Sequence, residues 1–168
     1  MSSQKEFTDK YGRKYAVVLE GNDFSLVDAV PQIGIETRKN GIIPRKTKNF
    51  DYTLTVEIKN DGLYYSRLTG EFRKPLLRSR PEISGTAPRH CADDVNSVIR
   101  CDNPHLWTYD LDILSDYSGI ITLGSKYRMK KWIDAERKCM PIPSDKECFG
   151  QLTEIEFCNG KIIKTKII

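Results

Sequence analysis

The chain has 168 residues, of which 39% are hydrophobic and 30% are charged, and its formal net charge is +4. This composition is ordinary for a water-soluble protein, and a chain of this length can bury a core without disulfide or metal staples. Its longest uncharged runs are far too short to span a bilayer, so we expect no membrane contact, and the mild positive charge permits anionic partners without requiring them.

The amino-terminal third predicts short strands separated by turns. Residues 1–13 are polar, and we expect a frayed end or a sheet edge there. Three apolar segments follow, and each predicts a strand: Lys14–Glu20, Phe24–Val30 and Ile33–Arg38. Asn or Asp followed by Gly recurs three times along the chain between apolar residues. Because Asn, Asp and Gly tolerate positive φ, these turns favour an antiparallel meander.

The segment Phe50–Phe72 predicts a long β-hairpin. From Phe50 to Lys59 apolar and polar residues alternate strictly, which is typical of a strand with one buried face. We expect a three-residue loop, Asn60-Asp61-Gly62, to connect this strand to the next one.

The register of this hairpin follows from the apolar face. A three-residue loop pairs Leu54 with Leu68 and keeps that face dry, whereas a two-residue loop, Asp61-Gly62, would place Arg67 opposite Val56. A slip of one residue inverts every side chain, so we favour the three-residue loop. This register turns Tyr65 outward, either as cross-strand packing on a wet face or as a contact surface for a partner.

A proline-rich stretch with five basic residues, 73–89, follows the hairpin. Pro75, Pro81 and Pro88 predict an extended, irregular connection. Basic residues close to tyrosines favour contact with anions or with single-stranded nucleic acid. The candidate contact residues are Arg73, Lys74, Arg78, Arg80, Arg89 and Tyr65. The alternative is a solvated loop whose charges keep a sheet edge soluble.

The five cysteines, without an apolar leader at the N-terminus, predict reduced thiols in a cytoplasmic protein. Both histidines lie near two of these cysteines. The candidate zinc ligands are His90, Cys91, Cys101 and His105. This set lacks the C-x-x-C pair typical of structural zinc sites, so we expect no cofactor and keep zinc as the alternative. The segment Cys91–Arg100 predicts a short helix.

The segment Leu106–Leu114 alternates and predicts a strand whose core face carries its aromatic residues. Its opposite face carries Asp110 and Asp112, about 7 Å apart by strand geometry. With Asp116 nearby these carboxylates form a candidate divalent-cation site, and the alternative is a wet face. The segment Ser125–Cys139 fits either a helix or a strand.

The segment Gln151–Ile168 predicts a second hairpin. A three-residue loop, Cys158-Asn159-Gly160, would pair Ile155 with Ile163. The chain ends on Ile167-Ile168, in the middle of an apolar strand pattern. This ending predicts either a last strand zipped into the sheet or an exposed edge that accepts a partner.

Signatures of catalysis are weak. The chain has no P-loop, G-x-G-x-x-G, G-x-S-x-G or H-E-x-x-H motif. Asp51, Glu57 and Lys59 resemble the acid and E-x-K arrangement of restriction-type nucleases, but all three fall on the wet face of one hairpin strand. A Cys–His nucleophile pair would need loop neighbours with no orienting partner.

The fold predicted from these patterns is all-β, or β-dominated α+β. We expect one β-rich domain, residues 1–168, built as an antiparallel meander that forms a barrel or sandwich with one or two short helices. The function we expect is a non-enzymatic cytoplasmic binding protein with a protein partner: an inhibitor, immunity or accessory factor of bacterial or viral type. A small-ligand or nucleic-acid-binding barrel that uses residues 73–89 is the alternative, and a metal-assisted hydrolase or nuclease is the second alternative.

Overall fold

The structure is a computed structural model. It describes residues 4–8, 14–20, 25–29, 34–35, 37, 41–45, 51–76, 78–93, 103–127 and 149–168. Within these residues the chain forms strands and one 3-10 helix, Cys91–Asp93. The strands are β1 Gln4–Thr8, β2 Lys14–Glu20, β3 Ser25–Ala29, β4 Tyr52–Lys59, β5 Gly62–Glu71, β6 Arg89–His90, β7 Leu106–Leu114, β8 Gly119–Tyr127, β9 Phe149–Cys158 and β10 Lys161–Ile167.

The strands form one strongly curled sheet that resembles half of a barrel. The predicted all-β, barrel-like fold is therefore confirmed. One part of the sheet, which we call the first half-sheet, has the strand order β1-β2-β4-β5-β7-β6. The other part, the second half-sheet, has the order β3-β8-β9-β10. In the part of the chain that is described, no helix has the length and apolar character needed to cross a membrane.

The two half-sheets meet where the turns of two hairpins lie side by side. The amide of Leu63 donates to the carbonyl of Gly160 at 2.7 Å, and the amide of Ile162 donates to the carbonyl of Asp61 at 2.8 Å. The amide of Gly160 also donates to the carbonyl of Tyr117 at 2.8 Å. We call this contact the turn junction. It satisfies backbone groups that a free turn would leave to water.

The β4–β5 hairpin closes through a two-residue turn, Asn60-Asp61, so the predicted three-residue loop is wrong. Both residues have positive φ, 49° and 59°, which is the type I′ geometry that matches the twist of the flanking strands. A β-bulge at Ser66 then shifts the register by one residue and restores the predicted pair Leu54–Leu68.

The bulge also reverses the predicted orientation of Tyr65. This residue pairs with Val56, and its side chain is only 4% exposed. The amide of Gly34 donates a hydrogen bond to its hydroxyl at 3.3 Å. Tyr64 takes the outward position instead, with the ammonium group of Lys59 5.1 Å from its ring centroid.

The β9–β10 hairpin shows the same combination of a tight turn and a bulge. Its turn is Asn159-Gly160, with φ of 47° and 80°, so the predicted three-residue loop is wrong here too. A bulge at Ile163 then pairs Ile155 with Thr165 rather than with Ile163. Without that bulge Lys164 would occupy the core face of the strand.

Two further predictions fail in the amino-terminal third. The strands β2 and β4 are parallel, with Tyr15 beside Tyr52, so the sheet is not antiparallel throughout. The rings of these two tyrosines stack with centroids 5.2 Å apart. The predicted strand Ile33–Arg38 is not formed at its described positions, residues 34, 35 and 37. The predicted strands 14–20 and 106–114 are confirmed, and 24–30 is confirmed as β3.

The core lies inside the curl and is rich in tyrosine. Five tyrosines are at most 4% exposed, and they are Tyr15, Tyr52, Tyr65, Tyr109 and Tyr117. Two of them donate hydrogen bonds to backbone carbonyls, Tyr109 to Pro81 at 2.7 Å and Tyr117 to Ile120 at 3.1 Å. Burial raises the pKa of Tyr109 to about 12. Aromatic side chains thus fill the interior, and the hydroxyls of Tyr109 and Tyr117 reach backbone carbonyls at its rim.

The turn junction predicts a difference between two glycines of equal φ. Gly160 and Gly85 have φ of 80° and 79°, but a Cβ at Gly160 would collide with the backbone carbonyl of Ser115, whereas a Cβ at Gly85 meets nothing within 4 Å. We expect Gly85→Ala to cost about 1–2 kcal/mol of unfolding free energy from backbone strain alone. Gly160→Ala should cost a further ~1–3 kcal/mol from overpacking.

Urea unfolding of the two variants and the unsubstituted protein measures this difference. Equal losses in both variants would show that the turn junction does not depend on the close approach of Gly160.

Candidate functional site

The outer face of β5 and β7 carries a network of paired charges. The guanidinium of Arg89 binds both carboxylate oxygens of Asp110, through Nε at 2.5 Å and a terminal nitrogen at 3.3 Å. The Nε of Arg67 lies 3.7 Å from the same carboxylate. The Arg89 hydrogen bonds hold the pKa of Asp110 below its usual value, with the charge of Arg67 acting in the same direction.

The second acid of this face has a cation of its own. The ammonium group of Lys59 lies 2.6 Å from Asp112 and 3.8 Å from Glu57. The hydrogen bond to Asp112 raises the pKa of Lys59. Asp110 and Asp112 therefore face separate cations, and within the described ranges no three His, Cys, Asp or Glu side chains, Asp116 included, converge to hold a metal ion.

The residues with a nuclease-like spacing do not converge either. Glu57 and Lys59 contact each other on β4, while Asp51 lies just before that strand. Asp51 and Glu57 are six positions apart along the chain, which is about 20 Å in an extended strand. Asp51 lines a cleft of about 70 Å³ with Arg45 and Glu71. That volume holds a few water molecules, so the cleft is too small for a drug-sized ligand.

The candidate zinc ligands are engaged in other contacts. The Nε2 atom of His90 lies 2.8 Å from the carbonyl of Asn103, and its Nδ1 atom accepts a hydrogen bond from the amide of Ala92 at 3.1 Å. Both ring nitrogens are therefore used within the protein. Cys91 is disulfide-bonded, so the predicted reduced thiol is wrong at this position.

The partner of this disulfide lies outside the described residues, as does Cys101. His105 lies on the turn before β7 and is half-buried. Disulfides persist mainly in oxidising compartments, so the disulfide at Cys91 means that reduced thiols no longer support a cytoplasmic location. The cytoplasmic location stays a prediction. The predicted helix is described only at residues 91–93, and the ambiguous segment only at residues 125–127, where it is strand.

The basic segment divides into anchored and exposed residues. Arg80 lies with its guanidinium 4.1 Å from the ring centroid of Trp107, and it donates to the carbonyl of Phe72 at 3.2 Å. Burial lowers the pKa of Arg80. Arg89 is bound to Asp110, and Tyr65 is in the core. Arg80 and Arg89 therefore hold the segment to the sheet, and Tyr65 on β5 is enclosed in the core rather than presented to a ligand.

The other three cations of the segment are exposed. Arg73, Lys74 and Arg78 form no ion pair with any described residue. Leu76, between them, is 98% exposed. We call Arg73, Lys74, Arg78 and Leu76 the basic loop. It is the part of the predicted anion-binding set that the structure leaves open to solvent.

Among the strands whose side-chain burial is described, β10 is the most exposed. Lys161 lies opposite Gly62, and because the pairing is antiparallel, later residues of β10 lie opposite residues before Gly62. The chain reverses there at the turn Asn60-Asp61, so the β4–β5 hairpin ends and β10 continues past it. From Ile163 to Ile168 one edge pairs with β9 and the other pairs with no described strand.

This free stretch, Ile163–Ile168, is what we call the β10 edge. Each of its residues is exposed, and its three isoleucines are exposed by 60%, 67% and 54%. A long edge with apolar side chains is a template for pairing with another chain. The sequence prediction had named this ending as a zipped strand or an exposed edge, and the structure shows the exposed edge.

The edge also carries a charge pattern. The three-residue loop predicted from the sequence puts Glu154 opposite Lys164 on the wet face, and the bulge at Ile163 makes that pairing wrong. Lys161, Lys164 and Lys166 fall at alternate positions around the bulge, and Lys164 and Lys166 lie opposite Glu156 and Glu154. The signal was present in the spacing of these lysines. It could not be interpreted without knowing which edge of the strand is covered.

Comparisons of this chain with protein-family models, with curated proteins and with solved structures find no match. The functional conclusion therefore depends on the geometry of the chain itself.

The Arg89–Asp110 pair predicts a pH-dependent contribution to stability. The folded-state pKa of Asp110 is depressed, so its contribution is present above the unfolded pKa and is lost as pH falls through the folded pKa. Because Asp110 is half-exposed, we expect Arg89→Gln to cost only about 0.2–1 kcal/mol at neutral pH and less in acid. A carboxyl NMR titration should show the pKa of Asp110 rising in R89Q, and an unchanged pKa would contradict the assigned cause.

The anchored and exposed arginines should differ in their effect on stability. Arg80→Ala removes the contact with Trp107 and a hydrogen bond to a backbone carbonyl, so it should cost about 1–2 kcal/mol. The matched variant Arg78→Ala should change the free energy of unfolding by less than about 0.5 kcal/mol. Urea unfolding measures both values, and equal effects would show that Arg80 is no anchor.

Proposed function

We propose that this protein is a non-enzymatic binding protein that engages another protein through the β10 edge. The observation that supports the proposal is the overhang of β10 beyond the β4–β5 hairpin, which leaves backbone donors and acceptors and three isoleucines exposed on one strand. Strand addition to such an edge gives a partner a row of main-chain hydrogen bonds, and pockets for alternate side chains give specificity.

The energies involved suit a reversible complex. Burying one exposed isoleucine side chain contributes about 1.5–3 kcal/mol before ordering costs. The isoleucines of the β10 edge together approach the ~8 kcal/mol of a micromolar dissociation constant, and losses of translational and side-chain freedom reduce that gain. A tighter complex would need contacts beyond this strand. This suits an inhibitor, immunity or accessory factor that acts by occupying a partner's surface.

The enzymatic alternative receives no support from the residues the structure describes. The acids of the β5–β7 face lie against separate cations, and the His90 ring nitrogens are both engaged. Catalytic side chains need polar atoms that are free to reach one common substrate position. Among these residues no such convergence is found.

The basic loop supports a second candidate function, binding of a polyanion such as single-stranded nucleic acid. Its three cations are exposed and unpaired among described residues, in contrast to the paired cations of β4, β5 and β6. Phosphate contacts of this kind are strongly weakened by salt. The β10 edge remains the leading site because it also offers backbone groups and apolar surface.

Substitution at the β10 edge separates the two candidates. We expect Ile163→Ser with Ile167→Ser to weaken capture of the partner from the cells that express this protein by about tenfold or more. Tenfold corresponds to about 1.4 kcal/mol, and each isoleucine contributes about 1.5–3 kcal/mol of burial before ordering costs. Both side chains are largely exposed, so folding should change by less than about 0.5 kcal/mol per site. The capture is followed by quantitative mass spectrometry and by hydrogen exchange of the β10 amides in the captured complex.

The matched control is Leu76→Ser in the basic loop, where the side chain is also apolar and exposed. Capture that survives the β10 substitutions but is lost with Arg73→Ala, Lys74→Ala and Arg78→Ala would reject the leading proposal in favour of the second. Retention of the protein on heparin should then fall in the same triple variant and recover with lower salt.

A further inference from the structure

We propose that the partner segment of the β10 edge is an extended strand with acidic residues at alternate positions and apolar residues between them. This inference rests on the proposed function and adds the chemistry of the partner. It is drawn from the two faces of β10. One face continues the apolar core face of β9, and the other carries lysines beside the glutamates of β9.

One face of β10 continues the core face of β9. Thr165 lies beside Ile155, and Ile167 lies beside Thr153, whereas both β9 residues are buried. The core of the second half-sheet is therefore covered up to β9 and open at β10. A strand added beyond β10 would extend the same rows, so its residues on this face should be apolar.

The other face of β10 carries lysines. Lys164 and Lys166 have glutamates as cross-strand neighbours on β9, yet none of these four side chains forms an ion pair with a described residue. On the far side of each lysine the next position across the sheet holds no described strand. An acidic residue there would complete a row of alternating sign, and opposite charges across strands stabilise a sheet.

A second copy of this chain fits the edge poorly. Antiparallel pairing of two β10 edges would bring the lysine faces of both strands together. Like charges directly opposite each other destabilise a strand pair. Lysine on an edge strand is also a common feature that prevents pairing with another copy. The same lysines that oppose self-association favour a partner of negative charge.

The length of the edge sets the size of the segment. From Ile163 to Ile168 the strand is about 20 Å long, which is the length of an ordinary strand in a sheet. The partner segment should therefore contribute about six residues to the pairing. Its acidic residues would alternate with β-branched ones, since those fit a pleated, half-buried surface.

The test uses the full-length protein and two labelled probe peptides. One peptide alternates valine with glutamate over the length of the edge, and the other replaces each glutamate with lysine. We expect the glutamate peptide to bind at least about tenfold more tightly than the lysine peptide, and its affinity to fall as salt rises. Hydrogen exchange should then show new protection of the β10 amides.

Charge reversal provides the matched variant. Lys164→Glu with Lys166→Glu should weaken the glutamate peptide by about tenfold and strengthen the lysine peptide, since both sites are exposed and the fold is retained. Circular dichroism and urea unfolding check folding. The reversed pair Lys74→Glu with Arg78→Glu changes net charge equally at the basic loop and should leave both peptides unaffected.

Each contrary outcome has a defined meaning. Equal binding of both peptides, or loss of binding with the basic-loop variant, would overturn the inference. Protection of β10 in a concentration-dependent dimer without peptide would assign the edge to a second copy. If a partner captured through Ile163 and Ile167 is insensitive to the lysine reversal, the partner chemistry is wrong while the proposed function stands.

Discussion

The structure depends on a small set of backbone hydrogen bonds between two turns. Each hairpin closes with two residues of positive φ, so its strands stay paired up to the tip and the tip itself is narrow. The narrow tips let Gly160 and Leu63 approach within hydrogen-bonding distance and join the half-sheets. A wider loop at either hairpin would hold the half-sheets apart. The same geometry places the start of β5 beside the start of β10, so the second half of β10 pairs with β9 on one edge and with no described strand on the other.

Charge is distributed unevenly over the sheet, and this contrast supports the proposed binding site. On the β5–β7 face each described cation lies near a carboxylate, and the pair Arg89–Asp110 has bidentate geometry. Such surface pairs contribute little to stability. Because the paired charges neutralise each other, this face offers little electrostatic attraction to a charged ligand. On β10 and in the basic loop the cations have no such partner among the residues that the structure describes. Uncompensated charge beside apolar surface is what a complementary protein can use.

Part of this architecture could be predicted from the sequence. Strict alternation identified β4 and β7 and assigned Tyr109 to the core, and the Asn, Asp and Gly pattern located both hairpin turns. The exact pairing could not be predicted, because the bulges at Ser66 and Ile163 have no mark in the alternation. Tyr65 is the example: because the bulge at Ser66 adds one residue to the strand, Tyr65 lies in the core and not on the predicted outer face. The parallel pairing of β2 with β4 depends on β3 joining a distant strand, which no local pattern records.

The turn junction also has a consequence for how the chain folds. The two hairpins are local and can form on the microsecond scale, whereas Gly62 and Lys161, which pair at the junction, are about a hundred residues apart along the chain. The pairing of β3 with β8 spans a similar distance. Contacts of such long range slow folding toward milliseconds or seconds. Until the junction closes, each half-sheet exposes its apolar face, so the chain passes through its most aggregation-prone stage after its hairpins are complete.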